Sequence, residues 1–455
     1  MWRLSETTAD GQQPTAVRRG GRGRGLFLLL LLLAAFALRA HRIGEQRVWW
    51  DEGWSVWAAR FPLADILRET GHDVHPPLYF ALLHGWRAGS GDSEAGLRLL
   101  SATLGLLTVA ATYALGRRMA RGTLSPGAAR GVGLLAALLL TVSRFAIAWS
   151  QEIRMYALAT LLAVLAVAAA RRVWAGGGRG SAAAYVLATT AGLYTLYLFG
   201  LVWLAINAAW LLSLLWQRRL SPAPPPPRAA LWLSLQLATA ALFAPWALYA
   251  AGGFLSTAAA TPIRLLDFLH IYWTVLTVGI PVDVAQFNRL TLPALAIFVL
   301  AVAALVGRMR SYESGIRNRE GSVGADPRVC PDSPAPPPPR SPAPPRDLAL
   351  LLSILLLPAL VVYFISLPKQ NFYNPPFNPR YLVIFTPFYS ILLAWGLAAV
   401  GGWGKRGRGG AGEYPPLAAP GQIPAAPGQT LGAPGQTLGV PGQTPAAPGQ
   451  ALGVP

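Results

Sequence analysis

The sequence predicts an all-α, polytopic membrane protein with about ten transmembrane helices. Apolar residues make up 53% of the 455 residues, and charged residues only 13%, about half of the share usual in soluble proteins. Long apolar stretches alternate with short arginine clusters, and most stretches approach the roughly 20 residues that a membrane helix needs. The predicted spans are 25–40, 95–115, 131–149, 155–170, 181–198, 199–216, 229–250, 291–307, 348–367 and 380–400.

The net charge of +19 is better explained by topology than by nucleic-acid binding. A nucleic-acid-binding domain carries its Lys and Arg on a polar folded face, whereas apolar runs dominate here. The basic residues lie mainly in alternate segments between helices, the pattern of loops that stay in the cytoplasm. We therefore predict a multi-pass protein of the cell membrane with both termini in the cytoplasm. The single cysteine, Cys330, excludes an intramolecular disulfide bond.

The first apolar stretch has two interpretations. Several arginines within residues 18–24 precede the apolar residues 25–40, as in a secretory signal, and Leu38-Arg39-Ala40 resembles a cleavage site. The many later spans favour an uncleaved first helix. Residues 1–24 are then a basic cytoplasmic segment.

Three segments are low in complexity and are predicted to be unpacked. Pro222–Pro227 is proline-rich, as is much of the predicted cytoplasmic loop 308–347, and such sequences form extended linkers. The tail from Pro420 repeats a seven-residue unit containing Pro and Gly, which lacks the apolar face that stacks a solenoid. The predicted domains are thus a transmembrane domain over 25–400 and a disordered tail over 401–455.

The richest polar segment outside the membrane is the first extracytoplasmic loop, residues 41–94. Within it Trp50, Trp54 and Trp57 fall at i, i+4 and i+7, which places them on one face of a helix. Tryptophan favours the membrane interface, so this helix is predicted to lie flat on the outer surface.

Asp51 and Glu52 occupy the start of this predicted helix, where the helix dipole favours negative charge. An ionised carboxylate at the lipid surface can accept a proton from a hydroxyl group, or hold a metal ion. The alternative is structural, an acidic start to an interfacial anchor helix. From these residues alone both interpretations stay open.

A second polar pattern, His72, Asp73 and His75, precedes the pair Pro76-Pro77. The prolines can start the next helix and would hold His75 at a rigid turn. The three side chains could also bind a metal, but their spacing is a weak signal, and a structural turn is favoured. No metal ligand is assigned, and a divalent cation is left open.

Two arginines at predicted outer helix ends have chemistry suited to phosphate. Arg154 is followed closely by Tyr156, and Arg380 by Tyr381, each where a loop enters a helix. A guanidinium group matches phosphate oxygens with its planar fork, and a tyrosine hydroxyl can add a donor. The structural alternative is that such arginines reach towards lipid head groups.

Taken in order, four motifs resemble the family 39 glycosyltransferases, which include dolichyl-phosphate-mannose–protein mannosyltransferases and the bacterial lipid A aminoarabinose transferase. The motifs are Asp51-Glu52, His75-Pro76-Pro77-Leu78-Tyr79, Ser150-Gln151-Glu152-Ile153-Arg154-Met155-Tyr156 and Pro379-Arg380-Tyr381. Each motif alone is weak, but the four in this order are fairly specific. The resemblance spans about residues 26–400.

The resemblance implies a C-type glycosyltransferase fold whose active site lies in the first extracytoplasmic loop and whose donor is a polyprenyl-phosphate sugar. It makes Asp51 the catalytic base and Glu52 its acidic neighbour. The expected substrate-binding residues are His75, Tyr79, Arg154, Tyr156, Arg380 and Tyr381. The histidine and the first tyrosine would shape the sugar or acceptor pocket. The arginines are assigned to the donor phosphate on chemical grounds and not by the resemblance.

The predicted function is transfer of a hexose or pentose to an acceptor hydroxyl outside the membrane, with inversion at the anomeric carbon. The partners are the donor lipid, membrane lipid and an acceptor that is a protein, lipid or polysaccharide. The alternatives are a transporter or flippase of lipid-linked sugars and an inactive scaffold. Transporters usually carry ionisable residues near the membrane midplane, and the predicted spans are almost free of them.

Overall fold

The structure, a computed structural model, describes residues 19–121, 123–220, 228–251, 264–279, 292–307, 310, 344–366 and 379–401. Over these ranges the chain forms helices and no strand. The helices are α1 (Arg19–Ala40), α2 (Trp50–Ala58), α3 (Leu63–Gly71), α4 (Leu78–Ser90), α5 (Glu94–Ala120), α6 (Pro126–Val142), α7 (Arg144–Ala148), α8 (Tyr156–Trp174), α9 (Arg179–Leu193), α10 (Phe199–Leu220), α11 (Arg228–Tyr249), α12 (Leu265–Val278), α13 (Leu292–Gly307), α14 (Pro344–Ser366), a 3-10 helix (Pro379–Phe385) and α15 (Thr386–Val400).

Six of the described helices are long and apolar enough to cross a membrane, and this confirms the predicted all-α, multi-pass class. These segments are Glu94–Ala120, Tyr156–Trp174, Phe199–Trp216, Ala229–Tyr249, Arg346–Phe364 and Arg380–Val400. Shorter apolar helices accompany them at Gly25–Ala40, Pro126–Val142, Leu265–Thr277 and Leu292–Gly307. These ten helices include Leu265–Thr277, which was not predicted, and do not include the predicted span 181–198, where the shorter α9 ends at Leu193.

The loop predicted over 41–94 folds into three short helices, α2, α3 and α4. The helix predicted from the tryptophan spacing is α2. On it, Trp50 is 85% exposed and Trp57 is 45% exposed, whereas Trp54 packs against the core. The apolar stripe of α2 is therefore only partly turned towards the protein.

Two predicted segment boundaries are wrong. The span predicted over 131–149 is broken at Ser143, whose backbone is extended between α6 and α7. The Ser143 hydroxyl accepts a hydrogen bond from the Ala146 amide at 3.3 Å, so it caps α7 and makes a break at this position favourable. The loop predicted to be disordered up to residue 347 instead gives way to α14 at Pro344.

Between the predicted spans 229–250 and 291–307 lies a helix, α12, that the hydropathy pattern did not predict. Its 14 residues rise about 21 Å, less than the roughly 30 Å of a bilayer core, so a search for full-length spans passes over it. It packs against α7, α14 and the 3-10 helix. Three predicted segments lie outside the described residues: the tail beyond Gly401, the segment Pro222–Pro227 and most of the loop 308–347.

α5 and α8 lie within the bundle, and α1 packs against α5 and α6. The first apolar stretch is thus an integral helix of the bundle, and the Arg39 guanidinium donates to the Leu140 carbonyl of α6 at 3.2 Å.

On α5, a Cβ atom at Gly105 would overlap the Ser150 hydroxyl. Glycine at this position therefore lets the segment between α7 and α8 lie directly against α5.

Candidate functional site

The predicted site residues come from separate parts of the chain and meet at one end of the bundle. Asp51 on α2 forms an ion pair with Arg380 on the 3-10 helix, although the two residues are 329 positions apart in sequence. Arg154, just before α8, contacts both Asp51 and His75. The packing of α2 and the 3-10 helix around the start of α8 therefore assembles the site.

The Asp51 carboxylate lies between two arginines. Arg380 Nη1 forms the close ion pair with Asp51 Oδ2, and Arg154 Nη2 lies 3.9 Å from the same oxygen. The side chains of Asp51 and Arg380 are 21% and 17% exposed. This ion pair therefore borders the accessible surface, where a substrate can reach it.

Arg154 is buried and connects α2 to the turn before α4. Its Nη1 donates to the Asp51 carbonyl oxygen at 3.0 Å and to Ser55 Oγ at 3.1 Å, and its Nη2 donates to His75 Nε2 at 2.9 Å. The Ser55 hydroxyl donates to the same Asp51 carbonyl oxygen at 2.9 Å. A buried guanidinium is costly unless it is paired, so the acceptors on its two terminal nitrogens fix where Arg154 lies, although its Nε has no hydrogen-bond partner among the described residues.

His75 is a neutral imidazole whose proton lies on Nδ1. Nε2 accepts from Arg154, so the remaining ring nitrogen carries the hydrogen and donates to Asp73 Oδ2 at 2.9 Å. Burial lowers the pKa of His75 below its ordinary value, and the Arg154 charge acts in the same direction. The hydrogen bond to Asp73 opposes this shift without reversing it.

Glu52 points into the protein. Its carboxylate is fully buried and accepts from Arg98 Nε at 2.9 Å and Nη2 at 2.6 Å, and from the Ile153 amide at 2.8 Å. Arg98 Nη1 donates to the carbonyl oxygens of Ile43 and Gln46 at 3.0 and 2.8 Å. Consecutive helical residues point about 100° apart, so one acid of the pair faces the site and the other fastens α2 to α5.

Two residues of the site, Trp49 and Glu152, were not predicted. The Trp49 indole N–H donates to the Glu152 carboxylate, and the Arg380 guanidinium lies 5.7 Å from the centre of the Trp49 ring. Burial raises the pKa of Glu152, and the nearby Glu52 charge adds to this rise. Glu152 lies within the Ser-Gln-Glu-x-Arg-Met-Tyr motif, so the motif itself was the available signal.

The three predicted tyrosines differ in accessibility. Tyr79 is fully buried in α4 with its hydroxyl 3.3 Å from Ser101 Oγ, and burial raises its pKa. It therefore packs inside the fold and does not line an accessible surface. Tyr156 is also buried, with its ring 6.2 Å from that of Tyr381. Tyr381 is only partly buried, and the Arg380 guanidinium lies 5.6 Å from its ring.

The His72-Asp73-x-His75 pattern forms a turn. Among the residues that the structure describes, no three His, Cys, Asp or Glu side chains come close enough to hold a metal ion. His72 is exposed at the C-terminal end of α3, while Asp73 accepts the hydrogen bond from His75. The pattern thus serves to position His75 beside Arg154.

Comparison with known proteins gives a likeness in fold. No protein-family model and no curated protein sequence matches the chain. The fold is similar to the crystal structure of ArnT from Cupriavidus metallidurans in the apo state, with a TM-score of 0.51 and 15% sequence identity. The match covers 83% of this chain and 60% of that chain, so this chain spans about three fifths of its length. ArnT has the C-type glycosyltransferase fold, and this chain is therefore a multi-pass helical membrane protein with a similar fold.

Proposed function

We propose that the protein is a membrane glycosyltransferase that moves a hexose or pentose from a polyprenyl-phosphate donor to an acceptor hydroxyl at the extracytoplasmic face. The observation that carries the proposal is the accessible Asp51 carboxylate paired with Arg380 at one end of a membrane bundle. The likeness in fold to ArnT supports the glycosyltransferase class. The four ordered motifs support membership of family 39.

Arg380 is the group that we assign to the donor phosphate. It is partly exposed and lies beside the rings of Trp49 and Tyr381. The oxygens of a phosphate group accept paired hydrogen bonds from a guanidinium group at least as well as those of a carboxylate do. The phosphate of a bound donor lipid would therefore compete with Asp51 for Arg380. Donor binding would then free the Asp51 carboxylate when it is needed.

Asp51 is the group that we assign to the proton transfer. It accepts the proton of the acceptor hydroxyl while that oxygen bonds to the anomeric carbon of the sugar. The bond between the anomeric carbon and the phosphate oxygen breaks on the opposite side, and the lipid phosphate leaves with the bonding electrons. Arg380 stabilises the charge that develops on it. One displacement inverts the anomeric carbon.

We assign positioning roles to the buried polar residues around Asp51. Glu52 is fully buried and saturated by Arg98 and the Ile153 amide, which leaves it unsuited to contact a substrate. Arg154 is 1% exposed and holds the Asp51 main chain. Both nitrogens of His75 are occupied, so His75 orients Arg154 and offers only the face of its ring to a ligand.

The basic residues at the other end of the bundle support an extracytoplasmic location for the site. α5 and α8 both begin at the site and end in the arginine pairs Arg117-Arg118 and Arg171-Arg172. Lys and Arg at helix ends favour the cytoplasm, so the site is proposed to face outwards and both termini inwards. The acceptor is a protein, a lipid or a polysaccharide, and no nucleic acid takes part.

The proposal is tested by following a labelled sugar. Membranes that contain the protein, and matched membranes that lack it, receive polyprenyl phosphates carrying radiolabelled hexoses or pentoses. We expect label to enter a protein, lipid or polysaccharide fraction only where the protein is present. Label that crosses the membrane while still attached to polyprenyl phosphate would indicate a transporter, and no movement of any label would indicate a scaffold. Either result contradicts the proposal.

A further inference from the structure

A groove of about 440 Å³ lies between α5, α8 and α9, and we call it the α5–α8–α9 groove. Half of its lining residues are alanines, so the space exists because small side chains stand where larger ones would fill it. Leu165 and Leu187 on its wall are 42% and 66% exposed, so the groove is open on the outside of the bundle. Its polar lining consists of Arg118 and Arg172.

The groove lies at the end of the bundle opposite Asp51. Arg98, at the site end of α5, and Arg118, at the groove, are 20 residues apart, which is about 30 Å of helix. That distance equals the thickness of a bilayer core. Along α8 the groove runs from Leu162 to Arg172, about 15 Å, which is the depth of one leaflet.

Positive charge accumulates at the mouth of the groove. Arg117, Arg121, Arg171 and Arg172 are all close enough to Arg118 to repel it. Asp347 neutralises Arg171 through a buried ion pair with two parallel hydrogen bonds. Neither Arg118 nor Arg172 forms an ion pair within the part of the chain that the structure describes.

The sequence next to these arginines carries no acidic residue. Residues 117–130 and 171–180 contain no Asp or Glu. Two arginines at the interfacial end of an apolar groove match a ligand with a phosphate head and an apolar chain. Basic pockets between membrane helices on the cytoplasmic side bind anionic lipid head groups in this way.

We propose that the α5–α8–α9 groove binds an anionic glycerophospholipid of the leaflet opposite the active site. Its phosphate contacts Arg118 and Arg172, and one acyl chain lies along the alanine-lined wall between α8 and α9. The occupied groove neutralises the arginine cluster and fills the space that the alanines leave. The proposal concerns a lipid that stays bound, so it holds whether or not the chain transfers sugar.

Binding is measured on the full chain in nanodiscs of phosphatidylcholine with increasing phosphatidylglycerol. We expect native mass spectrometry to detect retained phosphatidylglycerol in preference to phosphatidylcholine. In Arg118→Gln/Arg172→Gln the apparent affinity for phosphatidylglycerol should fall roughly 30-fold, as the loss of two charges near a membrane surface implies. Arg130→Gln removes an exposed charge at the start of α6, outside the groove, and should leave the affinity unchanged.

A second pair of variants tests the groove itself with the arginines intact. Ala184 lines the groove and is exposed, whereas its neighbour Ala183 is exposed but does not line it. Ala184→Phe should abolish retention of phosphatidylglycerol, and Ala183→Phe should preserve it. Equal retention of both lipids by the wild-type protein would overturn the proposal, as would equal losses in Arg130→Gln and the double variant. Inorganic phosphate that displaces phosphatidylglycerol completely would also overturn it, because the site would then bind a free anion.

Discussion

The hydrogen bond from Arg154 Nη2 to His75 Nε2, 2.9 Å long, couples the protonation state of a histidine to the position of the candidate base. Only a neutral imidazole can accept it. The same arginine holds the carbonyl oxygen of Asp51 at 3.0 Å. Protonation of His75 would place two cations in contact and remove one of the bonds that fix Arg154.

This relationship predicts that the protein loses stability in mild acid. The pKa of His75 is lower in the folded protein than its ordinary value of 6.5, so below pH 6.5 the unfolded chain binds a proton that the folded chain does not. The stability that neutral His75 contributes is complete above pH 6.5. It is lost as the pH falls from 6.5 towards the pKa of His75 in the folded protein. Thermal unfolding in detergent between pH 8 and 5 measures it.

The matched variant for this prediction is His75→Gln, which keeps an acceptor near the position of Nε2 but cannot be protonated. Its melting temperature should fall less than that of the wild-type protein between pH 6.5 and 5. An identical pH dependence in the two proteins would show that His75 does not carry the effect.

Glu52 is predicted to matter for stability. Glu52→Gln leaves Arg98 buried without its counter-charge, and removal of one partner of a buried pair costs about 3–5 kcal/mol. Glu94→Gln is the control, because Glu94 lies 3.7 Å from the same arginine but is 47% exposed, and its loss should cost little. Chemical denaturation in detergent compares the two. Equal losses of stability would contradict the structural role of Glu52.

Replacement by lysine is predicted to impair catalysis at Arg380 and to reduce stability at Arg154. Arg380→Lys should raise the KM for the donor, or lower kcat/KM, roughly 10- to 100-fold, the effect of one charge-assisted hydrogen bond. Its melting temperature should change little because the side chain is partly exposed. Arg154→Lys should instead lose about 2 kcal/mol of stability, because an ammonium group cannot reach acceptors on two elements.

The comparison needs both readouts for both variants. Steady-state transfer assays give KM and kcat, and unfolding curves on the same preparations give stability. If Arg380→Lys melted early and Arg154→Lys retained full stability, the assignment of one to the donor and the other to positioning would be reversed.

Hydropathy predicted the helices whose length matches a bilayer, such as α5 and α8, because membrane burial requires about 20 apolar residues. It did not predict α12, because 14 residues are too few to meet that requirement. The break at Ser143 was missed for a related reason, since a serine cap changes the backbone without changing the apolar character of the segment.

The candidate site was predictable in composition but not in orientation. The ordered motifs contain Asp51, Arg154 and Arg380, and the structure brings these three together. Which acid of the pair faces the surface depends on how α2 is rotated against α5, and the ion pair between Arg98 and Glu52 decides that. No local pattern contains this information, because the two residues are 46 positions apart.

The most direct test of Asp51 as the base is sugar transfer by Asp51→Asn, compared with Asp65→Asn. Asp65 lies in the first turn of α3 and pairs with Arg68, so its variant removes a charge from the same predicted loop, 41–94, without touching the site. Asp51→Asn should lower single-turnover transfer at least about 100-fold, the usual contribution of a general base, with an unchanged melting temperature. Asp65→Asn should transfer normally. Wild-type transfer by Asp51→Asn would contradict the assignment.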